Sequence, residues 1–469
     1  MTSQNFFNLL NSEYPRFYDA AIQTNRFSPE LLNKSMDKYV GSVVKKDCLG
    51  HSIEGKPICR YILGTGPINI LFWTQMHGNE STATRAMLDL CSFFTNLKLL
   101  HDEARFLLEK LTVHLIPMVN PDGAAVFERR NATGIDLNRD AKTLAAPESQ
   151  ILKKEIDEFK PHFAFNLHDQ RRFYNVKGSK QPATISFLAP AFDTNEGINE
   201  VRLKSMQIIS HMYHCLQAII PGQVGIYSDV FSPRAFGDNC QGWGSSTILI
   251  ESGWALNDPE KEFVRKLNAL LILDALMSIA NDSFVHYSSK DYLKIPENDE
   301  KLFDLLLRSV RVEQNSTYSN VDLGIFREEL SVHGSTRFFI KSCLSDIGDL
   351  TDYFGFETVE ADGNKVVVNP LVAEQTMDSV EELNEELIQR FLLEGILFVK
   401  VKNLPAGENS GIPLNLISVD YQVSANPLAL EQPVNFLIKN DNDEITFRVM
   451  NGFLLDLQNV TNCNGLIYR

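Results

Sequence analysis

Apolar positions in this chain fall into short unbroken runs separated by longer stretches of helical period. Ile68-Asn69-Ile70-Leu71-Phe72-Trp73 is the first such run. Its length and its β-branched and aromatic content predict a central strand, closed by Gly78. Val113-His114-Leu115-Ile116, Phe163-Ala164-Phe165-Asn166-Leu167 and Thr247-Ile248-Leu249-Ile250-Glu251 repeat the pattern. Helical periods occupy about 81 to 98, 101 to 110, a stretch opened by Pro147-Glu148, 197 to 219 and 258 to 281. Ahead of them, 27 to 40 reads as a short capped helix and 42 to 64 as two strands joined around Glu54-Gly55-Lys56-Pro57. Strands alternating with helices predict an α/β fold, a mostly parallel mixed sheet with helices on both faces.

The texture changes after Asn281-Asp282-Ser283, which sets an expected boundary near 285. Residues 1–285 then form a first domain, and 286–469 a smaller α+β or mostly β accessory domain of unknown role. In the second part, Glu360-Ala361-Asp362-Gly363-Asn364-Lys365-Val366 reads as a hairpin turn, and Asn440-Asp441-Asn442-Asp443 separates two strand-like runs. Ser379 with Glu382 three residues on is a capping box expected to start a helix.

The chain has 469 residues, beyond the usual size of one hydrophobic core, which agrees with two domains. Lys and Arg number 44 against 60 Asp and Glu, a formal charge of −16. That balance argues against nucleic acid and anionic membrane as partners, since both call for a basic face. There is no long uninterrupted apolar stretch and no basic-then-apolar leader at the N-terminus, so a cytoplasmic location is expected. Seven scattered cysteines without a CxxC pair suggest reduced, buried thiols.

Candidate chemistry lies at the strand ends. His77 and Glu80 follow the first strand, and in an open α/β sheet ligands bind outside the carboxyl ends of strands. Imidazole and carboxylate are both zinc donors, and a catalytic zinc needs three protein ligands plus an open position. His168, directly after Phe165-Asn166-Leu167, offers the third if the strands at 68 and 163 are neighbours. Glu251 ends another apolar run, where desolvation would raise its pKa toward that of a general base and acid. An arginine suits the binding of a terminal carboxylate, and a second one suits a developing oxyanion.

Taken together, His77-Gly78-Asn79-Glu80, Asn120-Pro121-Asp122-Gly123, Arg129-Arg130-Asn131, Gly134-Ile135-Asp136-Leu137-Asn138-Arg139 and His168 resemble the M14 zinc carboxypeptidase family. The resemblance runs over about 45 to 280, from Gly50-x-Ser52-x-Glu54-Gly55-Lys56 to Glu251. It implies a zinc carboxypeptidase-like domain holding one Zn2+ on His77, Glu80 and His168, with Glu251 as catalytic base and acid. It also implies Arg129 at the oxyanion, with Arg130 as fallback, and Asn138 and Arg139 on the substrate carboxylate. Asp136 then orients a zinc-bound imidazole, and Tyr227 is the nearest candidate for a mobile substrate-binding cap. Asp169-Gln170-Arg171-Arg172 after the third ligand is more polar than is common in the family, which suggests that these residues meet a charged or polar substrate, with Arg171 and Arg172 the positions to test. The expected partner is a peptide or acyl amino acid with a free carboxylate. His-Gly-Asn-Glu also resembles the aspartoacylase and succinylglutamate desuccinylase branch, so an N-acyl amino acid deacylase is the alternative. A non-catalytic zinc-binding protein is a third possibility.

Overall fold

The computed structural model describes residues 3–96, 100–314, 317–332, 335, 337–367, 371–424, 428–457 and 464–469. It divides into two compact units, one running to Glu300 and the other comprising Lys301–Val332 and Arg337–Arg469.

In the first unit, helices α1 (Ser3–Glu13) and α2 (Pro29–Asp37) precede the antiparallel pair β1 (Val44–His51) and β2 (Pro57–Leu63). Then come β3 (Ile68–Trp73), α3 (Thr82–Thr95), α4 (His101–Lys110), β4 (Leu111–Ile116), α5 (Pro121–Val126), α6 (Pro147–Phe159) and β5 (Phe163–Asp169). The short β6 (Asn175–Val176) and β7 (Ile185–Leu188) lead to α7 (Glu200–Leu216), β8 (Val224–Ile226), α8 (Phe236–Gly242), β9 (Ser246–Ser252) and α9 (Glu262–Ala280). Eight strands form one sheet in the order β1-β2-β4-β3-β5-β9-β7-β8. The centre, β4-β3-β5-β9, is parallel, while β2 joins β4, and β7 joins β9, in antiparallel register. The α/β expectation and the mixed, centrally parallel sheet are therefore borne out. The helical period expected to run to 98 is seen as far as Thr95, and 97 and 98 lie outside the described residues.

The continuous apolar runs are explained by burial on both faces. Ile70, Phe72, Phe163, Phe165, Leu167, Ile248 and Ile250 pack on one side with α3, α7 and α9. Leu71, Trp73, Ile116 and Ala164 pack on the other with Leu152 and Ile156 of α6 and Phe236 and Cys240 of α8. Strand period 2 then sends His168 and Glu251 toward the α6/α8 side. On the opposite side, Arg265 of α9 clamps Asp89 of α3 through two hydrogen bonds, 2.9 and 2.6 Å, with both side chains fully buried. Losing one partner of such a pair typically costs about 3–5 kcal/mol.

Residues 286 to 300 stay with the first unit, fifteen beyond the boundary expected near 285. The Tyr292 hydroxyl accepts a hydrogen bond from the Ala189 amide, and β10 (Asn298–Asp299) pairs with β6. Those ties begin after the polar Asn281-Asp282-Ser283 exit that suggested the break.

The second unit contains an antiparallel meander, Leu302–Gln314, Thr317–Ser331 and Phe338–Gly348, and a parallel sheet of short strands around Ile396–Asn403. Two expectations change here. The 360–366 segment is no hairpin, because Phe354–Glu360 and Lys365–Val367 both run parallel to Leu302–Gln314. Asp362 and Gly363, both at positive φ, form a bulge within one interrupted strand. The Ser379–Glu382 capping box is present but closes a single 3-10 turn, and the following helix, Glu385–Leu393, has its own cap in Asn384. The Asn440–Asp443 turn does join antiparallel strands, Phe436–Lys439 and Ile445–Met450.

Candidate active site

His77 and Glu80 stand on the turn between β3 and α3. The chain beyond β3 runs beside the chain beyond β4, with Val119 N donating to Thr74 O and Asn120 N to Gln75 O. Gln75 is left-handed (φ 43°), and its side-chain amide donates to Gly78 O at 2.8 Å, which fixes the turn. Gly78 has no room for a side chain: an added Cβ would lie 2.1 Å from the Gly123 carbonyl carbon. The His-Gly-Asn-Glu turn and the Asn-Pro-Asp-Gly helix start are thus in backbone contact. Asn120 caps α5 by accepting from Gly123 N at 2.9 Å, with Pro121 at the first helical position.

Several motif residues brace this junction and lie outside the donor cluster. Asp122 accepts from Ser52 Oγ at 2.8 Å and Glu54 N at 3.1 Å and pairs with Lys56, tying the Ser52-x-Glu54-Gly55-Lys56 segment to α5. Asn131 Oδ1 accepts from Thr133 N and Ile135 N and shapes the loop that delivers Asp136.

β3 and β5 are parallel neighbours, as the convergence of the three donors requires. His77 Nδ1 is 2.8 Å from Glu80 Oε1, and His168 Nδ1 is 2.7 Å from Glu80 Oε2. The donor atoms of all three side chains lie within 4.8 Å of one another, and all three are buried. The opposite nitrogen of His77 donates to Asp136 Oδ1 at 3.0 Å, which leaves Nδ1 to face Glu80. Two nitrogens and one oxygen in this arrangement, with one imidazole held by a carboxylate, fit a four-coordinate zinc that keeps one position open. Against the cost of burial, the two imidazoles hold the Glu80 carboxyl well below its usual range.

Arg129 spans the site. Its Nη1 is 3.0 Å from Glu80 Oε1 and its Nε 3.1 Å from Asp136 Oδ2, with 42% of the side chain exposed. Arg130 instead closes its own loop on Gly134 O at 2.9 Å. Asn138 is buried; its Oδ1 accepts from Phe236 N at 2.9 Å, and its Nδ2 is 3.4 Å from His168 Nε2. Arg139 is exposed, its Nη1 bonded only to the Asn138 carbonyl among the described contacts, and its charge reaches Asp136 and Asp238.

Register places Glu251 of β9 directly beside His168 of β5. Its Oε2 is buried and has no hydrogen-bond partner among the described residues. Burial, together with the nearby Glu80 and Asp169 charges, pushes the Glu251 carboxyl well above its usual pKa. Tyr227 follows β8 and donates its hydroxyl to Gln170 at 2.8 Å, and burial with the Glu251 charge raises its pKa. Arg171 reaches Glu300 at 3.4 Å between exposed side chains, and the Arg172 guanidinium lies 5.2 Å from the Trp254 ring centre.

The roles of two further participants were not visible in the sequence, although Gln170 stands in the polar Asp169-Gln170-Arg171-Arg172 run. Gln170 accepts from both Tyr227 and Asn298 and so holds the aromatic in place. Lys261, left-handed just before α9, is buried and donates to Asp169 Oδ2 at 3.2 Å and Ser252 O at 3.1 Å. Both act through partners distant in the chain, and no local spacing encodes that.

A centrally parallel sheet with two imidazoles, a carboxylate and an unpartnered buried carboxyl at its strand ends has the parts of a metal-dependent hydrolase. Residues 32–176 match the family model described as zinc carboxypeptidase, which bears out the resemblance to the M14 family over that segment. Carboxypeptidase 2 of Trichophyton equinum is 36% identical over 231 residues, 45% of this chain and 42% of the relative. Carboxypeptidase 2 of Trichophyton tonsurans is 26% identical over the same length and coverage. Carboxypeptidase E of Caenorhabditis elegans is 28% identical over 161 residues, 29% of this chain and 32% of the relative. The chain spans about two fifths of the length of the Trichophyton relatives. Among solved structures, a metallo-carboxypeptidase from Burkholderia cenocepacia is similar at 20% identity and a TM-score of 0.45, covering 56% of this chain and 71% of that one. Among the described residues, no helix is long and apolar enough to cross a membrane.

Proposed function

We propose that the first unit is a zinc-dependent metallocarboxypeptidase that hydrolyses the C-terminal amide bond of a peptide. The observation that carries this reading is the unpartnered Glu251 carboxyl beside His168, at the edge of a three-donor cluster. His77, Glu80 and His168 hold the ion, and Asp136 keeps the His77 ring turned toward it. A zinc ion held there would supply Lewis acidity toward the scissile carbonyl and a water of lowered pKa. Glu251 takes a proton from that water and passes it to the leaving amine, a role suited to a carboxyl whose pKa burial has raised. Arg129, the partly exposed cation of the site, swings from Glu80 to the developing oxyanion. Arg139 and the Nδ2 of Asn138 receive the terminal carboxylate. Tyr227 closes over the substrate after leaving Gln170. Arg171 and Arg172 favour a polar or acidic side chain near the scissile bond.

The named relatives are carboxypeptidases, which does not favour the deacylase alternative. The decisive assay sets C-terminal peptides against N-acyl amino acids, with and without chelator. Chelator-sensitive release of the C-terminal residue is expected. Hydrolysis of acyl amino acids alone would overturn the peptidase assignment, and no turnover of either by zinc-loaded protein would favour a binding role. Replacing Arg171 and Arg172 by Ala should flatten the preference among peptides, and an unchanged preference removes them from specificity.

A further inference from the structure

Away from the strand ends, a second group of metal-ligating side chains is enclosed in the helical layer of the first unit. His211 and Cys215 stand four residues apart on one face of α7, and Asp274 meets them from α9. His211 Nε2 is 2.6 Å from Asp274 Oδ2, while Cys215 Sγ is 3.3 Å from that oxygen and 4.0 Å from the imidazole nitrogen. The three donor atoms lie within 4.8 Å of one another, and each residue is at most 1% exposed.

A separate observation points to a missing cation. Asp274 Oδ1 is buried and has no hydrogen-bond partner among the described residues, and the only ion-pair partner found for the carboxylate there is His211. Burying a carboxylate with one bare oxygen and no guanidinium or ammonium against it is costly. No part of the proposed hydrolytic scheme uses these residues.

We propose that His211, Cys215 and Asp274 form a second metal site, structural in role, that takes zinc or a comparable divalent transition ion. Imidazole nitrogen, thiolate sulfur and carboxylate oxygen are all zinc donors, and a carboxylate that also engages its bare oxygen adds a fourth contact at a bite narrower than tetrahedral, so the tetrahedral spacing applies to donors of different residues. Zinc bonds of about 2.0–2.3 Å at tetrahedral angles separate the donors by roughly 3.3–3.7 Å. The two sulfur separations are already close to that range. The His211–Asp274 contact must open by about 0.7 Å, which exchanges a hydrogen bond for two metal bonds. Binding expels the Cys215 thiol proton to solvent and shifts the His211 proton from Nε2 to Nδ1, freeing the Nε2 lone pair, and thiolate plus carboxylate then balance the two charges of the ion. Enclosure means that the ion enters as α7 and α9 pack and afterwards joins them.

Cobalt substitution of the full-length protein tests this without relying on the strand-end assignment. His77, Glu80 and His168 contain no sulfur, so a thiolate-to-cobalt charge-transfer band can come only from elsewhere. Two cobalt equivalents with that band are expected in the unaltered chain, falling to one equivalent without the band in Cys215→Ser. No thiolate band in the unaltered chain overturns the proposal whatever the metal content, and that measurement does not depend on whether a variant folds. A band that persists in Cys215→Ser assigns the sulfur to another cysteine and also overturns it. One equivalent with the band lost in Cys215→Ser supports the helix-layer site and counts against the strand-end one.

Discussion

His77, Glu80 and His168 sit where parallel strands run out, whereas His211, Cys215 and Asp274 sit between the flanks of two helices. The donors are similar and all buried, yet among the described residues only the first group has a partly exposed arginine across it, a second carboxylate orienting an imidazole, and an idle acid beside it. Strand ends leave one side open to a substrate, while helix flanks close every side. Chemistry at a cluster is decided by what surrounds the donors as much as by the donors themselves.

The sharpest way to break this contrast is Glu251→Gln. It should leave zinc content unchanged and lower kcat by about 10²–10⁴-fold, since a general base is lost while the ligands remain. Turnover near the native level would remove Glu251 from the chemistry.

Asp238 tests whether buried acids near the first cluster differ from those inside it. Burial pushes its carboxyl up from 3.8 to about 6, outweighing the hydrogen bond that its Oδ1 accepts from the Ser232 amide. A raised folded-state pKa means that the folded protein binds the extra proton. Its stability contribution is therefore complete below about 4 and is lost as pH rises through about 6. A shift of roughly two units corresponds to about 3 kcal/mol. Asp238→Asn should thus match the native protein in urea unfolding near pH 4 and exceed it near pH 7, and parallel pH profiles would refute the assignment.

Asp136→Asn weakens the carboxylate that steers His77 and should cost about 10–100-fold in zinc affinity, read by competition with a chelator. Unchanged affinity would reduce Asp136 to a loop cap. The smallest effect on turnover is expected at the enclosed cluster, where Cys215→Ala should lower stability, as loss of a structural-metal ligand does, and leave kcat and KM unaltered at saturating zinc. A large change in kcat would erase the distinction between the two clusters.

Much of the first cluster was legible because His168 directly follows an apolar run, and His77 and Glu80 lie on the turn that closes another, both runs long enough to be recognised, and β3 and β5 did prove to be neighbours. Ser186 of β7 pairs with Glu251, yet β7 and β8, of four and three residues, were too short to show a period. The second cluster escaped because Asp274 lies 59 residues from Cys215, and only the packing of α7 on α9 brings them together. In the second unit, Asp362-Gly363 carries the residues of a hairpin turn but serves a bulge, since both uses call for the same positive φ. Composition was a better guide to the thiols: all six described cysteines are free, and four of them are buried.

The backbone contact between Gly78 and Gly123 makes two distant stretches of sequence a single machined part. A methyl group at Gly78 would push the turn carrying His77 and Glu80 away from the segment that leads to Arg129, while one at Gly123 would strike the Asn120 side chain and the Glu128 and Arg130 carbonyls and so disturb that segment itself, in both cases with no change to any of the donor residues. Anyone transplanting this centre into another scaffold has to move both segments together, because the clearance between them sets the alignment of everything mounted on either side.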